Sequence, residues 1–388
     1  MVVIKKLIKK LFALTLAVCV FLPVLTIYAV DEQTSTNLNL ECESAILIEA
    51  ATGTVLYEQN ADAALPPASV TKIMTLLLVM EAIDSGNLSL TDKLQASEYA
   101  ASMGGSQVFI EPGETMCVED LLKSVVVASA NDAAVVLAEN IAGSVESFVE
   151  KMNNRAKELG MTSSEFENPT GLDDNTIRHV TSARDIATMS RELLKHDTIL
   201  NYTNIWMDTI RNGEFGLTNT NRLIRFYNGA NGLKTGSTSK AKFCISATAK
   251  RDGMQLIAVI MASPTRDIRN ECAKKLLDFG FANYSVTEFE EGSAGTVRVL
   301  GGAKEDVITY YPAKPLLVGK GLGKNIERKV ILPESIKAPV EAGAKLGEIV
   351  YTLNGVEIGK VDVTAGESIS KLTYWETVGR LLKKYLII

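Results

Sequence analysis

LPPASVTKIMTLLLVMEAIDSGN, residues 65–87, carries more architectural information than any other stretch of this chain. Pro66 and Pro67 stiffen its approach, Ser69 stands at the head of an apolar run, and Gly86 ends that run. An almost uninterrupted apolar run of this length predicts a buried helix beginning near Ser69. Upstream, SAILIEAATGTVLYEQN (44–60) places two β-rich segments on either side of Ala51-Thr52-Gly53, a hairpin signature. Far downstream, KTGSTSKAKFCISATAKRDGMQLIAVIMAS (234–263) alternates around Arg251-Asp252-Gly253, a second hairpin. Between them, 118–142 reads as two helical runs broken at Ser129-Ala130-Asn131, with further helices over 145–159 and 180–196. A helix over 266–281, ending at Gly280, closes the region. Strands at both ends with helices between predict an α/β (α+β) domain over 41–285, its sheet drawn from both termini.

Beyond 285 the composition changes. Short alternating runs (TVRVL, DVITYY, RKVIL, EIVYTL, KVDVT) separated by Gly, Pro and Asn-Gly predict a small all-β domain over 286–365. Residues 366–388 end in ISKLTYWETVGRLLKKYLII, where Leu372, Trp375, Val378, Leu382 and Leu386 recur every three or four positions and the lysines and Arg380 fall mostly elsewhere. That pattern predicts an amphipathic helix with a cationic side, suited to an anionic membrane surface. At the other end, four lysines precede LFALTLAVCVFLPVLTIYAV (11–30), which has no charge. A basic n-region, an apolar h-region and Ala29 at a cleavage point predict a signal peptide over 1–29, and hence an exported protein at the outer face of the cytoplasmic membrane.

The formal net charge is −6, and removing Lys5, Lys6, Lys9 and Lys10 leaves −6 − 4 = −10 on the remainder. So acidic a body excludes nucleic acid as a natural partner. With only His179 and His196 and no paired-cysteine spacing, no metal and no cofactor is expected. Cys42, Cys117, Cys244 and Cys272 are scattered, and buried small hydrophobes are the simplest reading of them.

Three short motifs occur in order: Ser69-Val70-Thr71-Lys72, Ser129-Ala130-Asn131 and Lys234-Thr235-Gly236. Alone, the first is weak, because S-x-x-K recurs at Ser237, Ser239 and Ser368. Its bland explanation is an N-cap serine with a solvated lysine; a helix-breaking turn and an exposed strand start would account for the second and third. Context raises the signal: the first opens a buried helix, the second interrupts helices and the third enters a strand. On a helix, residues three apart share a face, so Lys72 can reach the Ser69 hydroxyl. A serine hydroxyl needs a neighbouring base, and a lysine becomes one when burial and a second cation such as Lys234 lower its pKa. Free backbone N–H groups at a helix start suit a developing oxyanion. Gly236 lets a substrate backbone lie along the strand edge, where Lys234 and Thr235 can hold a carboxylate.

S-x-x-K, S-x-N and K-T-G together are the signature of penicillin-binding proteins and β-lactamases. PASVTKIMT, LLKSVVVASANDAAVVLAE, NPTGLDD, HVTSARDIA, NGLKTGST and RNECAKKLLDFGF resemble blocks of the D-alanyl-D-alanine carboxypeptidase family of low-molecular-mass penicillin-binding proteins. The resemblance covers essentially everything after the leader. It implies an antiparallel catalytic sheet with helices, and trimming of the terminal D-alanine from peptidoglycan stem peptides ending in D-Ala-D-Ala. β-Lactams are then covalent inhibitors. By residue, it implies Ser69 as acylated nucleophile, Lys72 as general base, Ser129 as proton relay and Asn131 against the substrate amide. It implies Lys234 and Thr235 on the terminal carboxylate, with Arg269 as a second cation, and the N–H groups of Ser69 and Ser237 as oxyanion hole. His179 reads as structural. A serine β-lactamase shares the motifs but needs a carboxylate for its deacylating water, for which Glu165 and Glu167 are the candidates. The same motifs would also suit a transpeptidase, or a non-catalytic wall-binding or penicillin-sensing module.

Overall fold

The computed structural model describes residues 38–386, so the expected signal segment lies outside the described residues. Strands β1 (Ser44–Glu49) and β2 (Val55–Gln59) form the expected hairpin. The Glu49 carboxylate ties its turn, accepting from Ala51 N, Thr52 N and Thr52 Oγ1 at 3.0, 2.7 and 2.8 Å. A 3₁₀ turn, Ala68–Thr71, then leads into α1 (Lys72–Asp84). There follow β3 (Lys93–Gln95), α2 (Glu98–Ala101), β4 (Thr115–Cys117) and α3 (Val118–Lys123). A π-helical turn, Ser124–Ala128, separates α3 from α4 (Asn131–Ala142). Next come α5 (Val145–Glu158), α6 (Ala183–Leu193), α7 (Leu200–Thr203), the hairpin β5 (Met207–Ile210) and β6 (Phe215–Thr218), and α8 (Leu223–Phe226). Strands β7 (Ala230–Thr238), β8 (Lys242–Arg251) and β9 (Met254–Ser263) and helix α9 (Arg266–Asn283) complete this half.

The sheet runs β2-β1-β9-β8-β7, antiparallel throughout, so β1 and β9 join strands from the two ends of the region. All six β1 residues are buried, and β9 is buried almost throughout. Such strands read as continuous apolar runs because both faces are covered. Ile46, Ile48, Ile257, Val259 and Met261 belong to the large core they share with α1, α4 and α6. On the opposite face Leu47 and Leu256 meet α9 at Gly280, where a Cβ would sit 2.5 Å from Leu256 Cδ1. Gly280 is therefore a packing glycine, and the helix runs on to Asn283 rather than stopping there. Between β8 and β9, Asp252 and Gly253 both have positive φ, +48° and +80°, the pair that a two-residue hairpin turn requires.

Two further boundaries differ from expectation. The α-helix begins at Lys72, not near Ser69, because the chain first tightens into a 3₁₀ turn against which the Gly171 and Gly236 backbones press. Asn131, expected in the break between helices, is instead the first residue of α4.

The β-rich half holds β10 (Tyr284–Phe289), β11 (Gly292–Leu300), β12 (Asp306–Tyr311), β13 (Lys314–Gly319), β14 (Ile326–Ile331), β15 (Ser335–Lys337), β16 (Lys345–Leu353) and β17 (Val356–Ala365). Six form a sheet ordered β14-β16-β17-β12-β11-β15, while β10 pairs with β13. Residues 366–373 are not helical. Val340 bridges to Ile369, whose buried side chain completes the small core around Val297, Val299 and Val307. Helix α10 (Tyr374–Leu386) follows, with Tyr374, Trp375, Leu381, Leu382 and Tyr385 exposed. Among the described residues no helix is long and apolar enough to cross a membrane.

Candidate active site

The 3₁₀ turn and the first turn of α1 set Ser69 and Lys72 side by side, with Nζ 3.1 Å from Ser69 Oγ. Ser69 is half-buried and makes no capping hydrogen bond in this turn, so it is not a plain N-cap. Lys72 is wholly buried. Its amine has two further partners, Asn131 Oδ1 at 2.5 Å and the Thr170 carbonyl at 2.7 Å. Both are pure acceptors. A neutral amine that donates its two hydrogens to them must point its lone pair at the remaining neighbour, the Ser69 hydroxyl. The electrostatics favour that neutral form: burial first, then the charge of Lys234, hold Lys72 well below the usual lysine range, with Asp132 opposing.

Lys234 projects from β7 into the same buried space and donates to Ser129 Oγ and to the Thr235 carbonyl, both at 2.8 Å. Burial and the nearby Arg269 bring its pKa down to about 7. Ser129 is placed by an unusual piece of backbone: the π-helical turn ends there with Ser129 in the left-handed region at φ +63°. Strained conformations of this kind persist where surrounding contacts hold them, often at functional sites. Gly236 lies so close to the nucleophile's turn that a Cβ would sit 2.8 Å from Ser69 N and 2.9 Å from Val70 N.

A cleft of about 170 Å³ opens above these groups, lined by Ser69, Ser106, Ser129, Thr220, Thr235, Gly236, Ser237, Arg266 and Arg269. Arg269 is buried, its guanidinium resting on Asn270 Oδ1 at 2.8 Å, and burial lowers its pKa to about 10. Ser69, Ser129, Thr235, Gly236, Ser237 and Arg269 thus line one cleft, with Lys72 and Lys234 beneath it. Asn131 is different. It is buried, with Oδ1 on Lys72 and one Nδ2 hydrogen donated to Gly104 O at 2.7 Å, so the second Nδ2 hydrogen is the one its side chain has left to offer a substrate amide.

Sequence reasoning missed several parts of the site. Thr170 lies in the NPTGLDD block, but the group that reaches Lys72 is its backbone carbonyl, which no side-chain type marks. Thr220, which accepts from Thr235 Oγ1 at 2.8 Å, and Ser106 lie in loops without a distinguishing pattern. Asp132 holds the 106–110 loop through the N–H groups of Val108 and Ile110, at 3.0 and 3.1 Å. His179 is structural, as expected: Nε2 pairs with Thr71 Oγ1 at 2.7 Å and Nδ1 accepts from Glu167 N at 3.0 Å. Burial takes its pKa down to about 4. Glu165 pairs with Arg178 at the surface, and the Glu167 carboxylate accepts from the N–H groups of Ile177 and Arg178. Neither lines the cleft.

Residues 31–265 match the family model described as D-alanyl-D-alanine carboxypeptidase, and residues 282–371 match the penicillin-binding protein 5 C-terminal domain. The chain is 42% identical over 348 residues to the D-alanyl-D-alanine carboxypeptidase DacF of Bacillus subtilis, covering 88% of this chain and 89% of that one. The chain belongs to the D-alanyl-D-alanine carboxypeptidase family. Another member, DacC of Escherichia coli, is 34% identical over 351 residues, 88% of this chain and 87% of its own. Among solved structures, penicillin-binding protein 5 from Haemophilus influenzae superposes with a TM-score of 0.76 at 30% identity, over 86% of this chain and 98% of that one. Penicillin-binding protein D2 from Listeria monocytogenes, in its ampicillin-bound form, gives 0.59 at 35% identity, over 63% and 99%. This carboxypeptidase is accordingly of the serine type, with an α/β catalytic region followed by a β-rich region and a terminal helix.

Proposed function

We propose that this carboxypeptidase removes the terminal D-alanine of peptidoglycan stem peptides through an acyl-enzyme on Ser69. The neutral Lys72 amine takes the Ser69 proton as Oγ attacks the D-Ala–D-Ala carbonyl, and the protonated amine is steadied by Asn131 Oδ1 and Thr170 O. Backbone N–H groups of Ser69 and Ser237 receive the developing oxyanion. Ser129, hydrogen-bonded to Lys234, passes a proton to the departing D-alanine amine, and water then clears the ester. Lys234, Thr235 and Arg269 hold the substrate's terminal carboxylate. Asn131 acts as a positioning residue for Lys72.

The observation that carries this reading is the buried amine whose other hydrogens are committed to fixed acceptors beside the serine. β-Lactams, which imitate the dipeptide, acylate the same hydroxyl; the ampicillin-bound Listeria relative supports this. Residues 1–29 deliver the protein across the cytoplasmic membrane, 41–285 form the catalytic domain and 286–365 the β-rich domain. Within 366–388, helix α10 rests its exposed Trp375, Leu382 and Tyr385 on an anionic membrane, holding the protein at the outer face. No metal or cofactor takes part.

The test is fluorescent-penicillin labelling and D-alanine release from a pentapeptide, wild type against Ser69→Ala. Both signals should vanish in the variant, and labelling that survives overturns the assignment. Removal of 374–388, which leaves Ile369 in the β-rich core, should release the protein from phosphatidylglycerol-containing vesicles without altering labelling.

A further inference from the structure

Strand β7, whose Thr235, Gly236 and Ser237 line the cleft, is an edge of the catalytic sheet, so within the sheet it pairs with β8 alone, as far as Thr238 opposite Lys242. An edge strand leaves the backbone groups of its open side unpaired, and whatever fixes its position there must come from outside the sheet. One such contact is Gly236 against the nucleophile's turn. A second is Asp173, a buried carboxylate whose Oδ2 accepts from Thr238 Oγ1 at 2.5 Å. The Asp173 carbonyl accepts from Lys240 Nζ at 2.7 Å, and Thr238 Oγ1 itself accepts from Ala241 N at 3.0 Å. Asp173 thus holds the end of β7 together with the turn that leads into β8.

The carboxylate stands at the end of a stiff segment, 168–173. Asn168 Oδ1 accepts from Thr170 N and Gly171 N at 3.1 and 2.7 Å, and its Nδ2 donates to Leu172 O at 2.8 Å. Thr75 Oγ1 of α1 donates to Pro169 O at 2.7 Å, and Lys72 Nζ donates to Thr170 O. Gly171, at φ +83°, lies so close to the nucleophile's turn that a Cβ would sit 1.9 Å from Ala68 O. Two backbones therefore press on the turn that carries Ser69: 168–173 at Ala68, and β7 at Ser69 and Val70. The Asp173–Thr238 hydrogen bond joins those two backbones to each other.

We propose that Asp173 is a positioning residue: by tying Thr238 to the segment that also holds Lys72, it fixes the Ser237 N–H relative to the nucleophile and its base. This role depends on Ser237 as oxyanion donor, as proposed above. Thr238 follows Ser237 directly, so a shift of its side chain reaches that N–H across a single planar peptide unit. With the link opened, the end of β7 keeps its pairing to β8 but loses its tie to the segment beneath Lys72. A donor that meets charge only as it develops acts on the transition state rather than on the bound substrate. The loss therefore falls on kcat and leaves KM nearly untouched.

The test measures D-alanine release from a pentapeptide by the full-length protein. Asp173→Ala should lower kcat by about 10- to 100-fold, with KM within about threefold of wild type. Asp173→Asn keeps an acceptor for Thr238 Oγ1, so its kcat should stay within about threefold. Thr238→Val opens the same link from β7 and should reproduce the loss, which keeps the proposal testable if Asp173→Ala fails to fold. The double variant should be no slower than either single one, because both remove one interaction. An Asp173→Ala kcat within about threefold of wild type, a loss carried by KM, single losses that multiply in the double variant, or an Asp173→Asn as slow as Asp173→Ala overturns the proposal. Ser69→Ala in the same assay separates this from the acyl-enzyme reading. Release that survives Ser69→Ala removes that reading, whereas release lost in Ser69→Ala beside an unimpaired Asp173→Ala removes the positioning role alone.

Discussion

Gly236→Ala isolates the contact between the substrate-binding strand and the nucleophile's turn. The added methyl would lie 2.8 Å from Pro67 O and Ser69 N and 2.9 Å from Val70 N, whereas ordinary contact starts at 3.4 Å. All three are backbone atoms, so no rotamer change relieves the clash, and β7 must part from the turn by about 0.6 Å. Overpacking of this kind costs about 1–3 kcal/mol of stability, which leaves a protein of this size folded. Catalysis should suffer far more. A misplacement near 1 Å costs about 100-fold, so a shift of about 0.6 Å between the carboxylate-gripping strand and Ser69 should slow acylation by about 10- to 100-fold. The assay is the second-order rate of fluorescent-penicillin labelling, alongside D-alanine release and a urea unfolding curve. Gly216→Ala in β6 is the control, since nothing lies within 4 Å of its added methyl. A Gly236→Ala protein that acylates within about twofold of wild type would show that β7 and the Ser69 turn do not act as one rigid unit.

Three more outcomes rest on the electrostatics. Acylation needs Lys72 neutral, so its rate should rise as pH climbs through the lowered Lys72 pKa; Lys234→Gln removes a neighbouring cation, raises that pKa and should move the rising limb to higher pH, and an unmoved limb would disprove the coupling. His179 is held neutral, its pKa taken from 6.5 to about 4, so its contribution to stability is complete above 6.5 and drains as pH falls towards 4. Urea unfolding at pH 7 and pH 4.5 should therefore show a loss about 2–3 kcal/mol larger in wild type than in His179→Gln, and equal losses would contradict the burial argument. Glu165→Gln and Glu167→Gln should leave the lifetime of the penicillin adduct unchanged, because both carboxylates are engaged at the surface loop; a tenfold longer adduct would give one of them a part in deacylation.

Legibility differed from element to element. β1, β9 and α1 stood out because burial on more than one face leaves an unbroken apolar run, and the Asp252-Gly253 turn because positive φ narrows the choice of residues. Boundaries set by close packing did not stand out. Gly280 looks like a helix stop, yet its missing side chain makes room for Leu256 and Leu47. The 3₁₀ turn at Ser69 lies against the distant Gly171 and Gly236 backbones, and the left-handed Ser129 closes a π-helical turn; neither leaves a local pattern.

The pairing of Ser69 with Lys72 was settled by spacing, since residues three apart share one face of a helix and the contact is local. The same holds for the alternation that marks the strands and for the family blocks. What makes the lysine a base was decided only in three dimensions. Asn131 and the Thr170 carbonyl reach it from 59 and 98 residues away, and Lys234 adds its charge from a strand at the far end of the domain. A pKa answers to burial and to charges in space, and neither can be counted along a chain until the chain has folded.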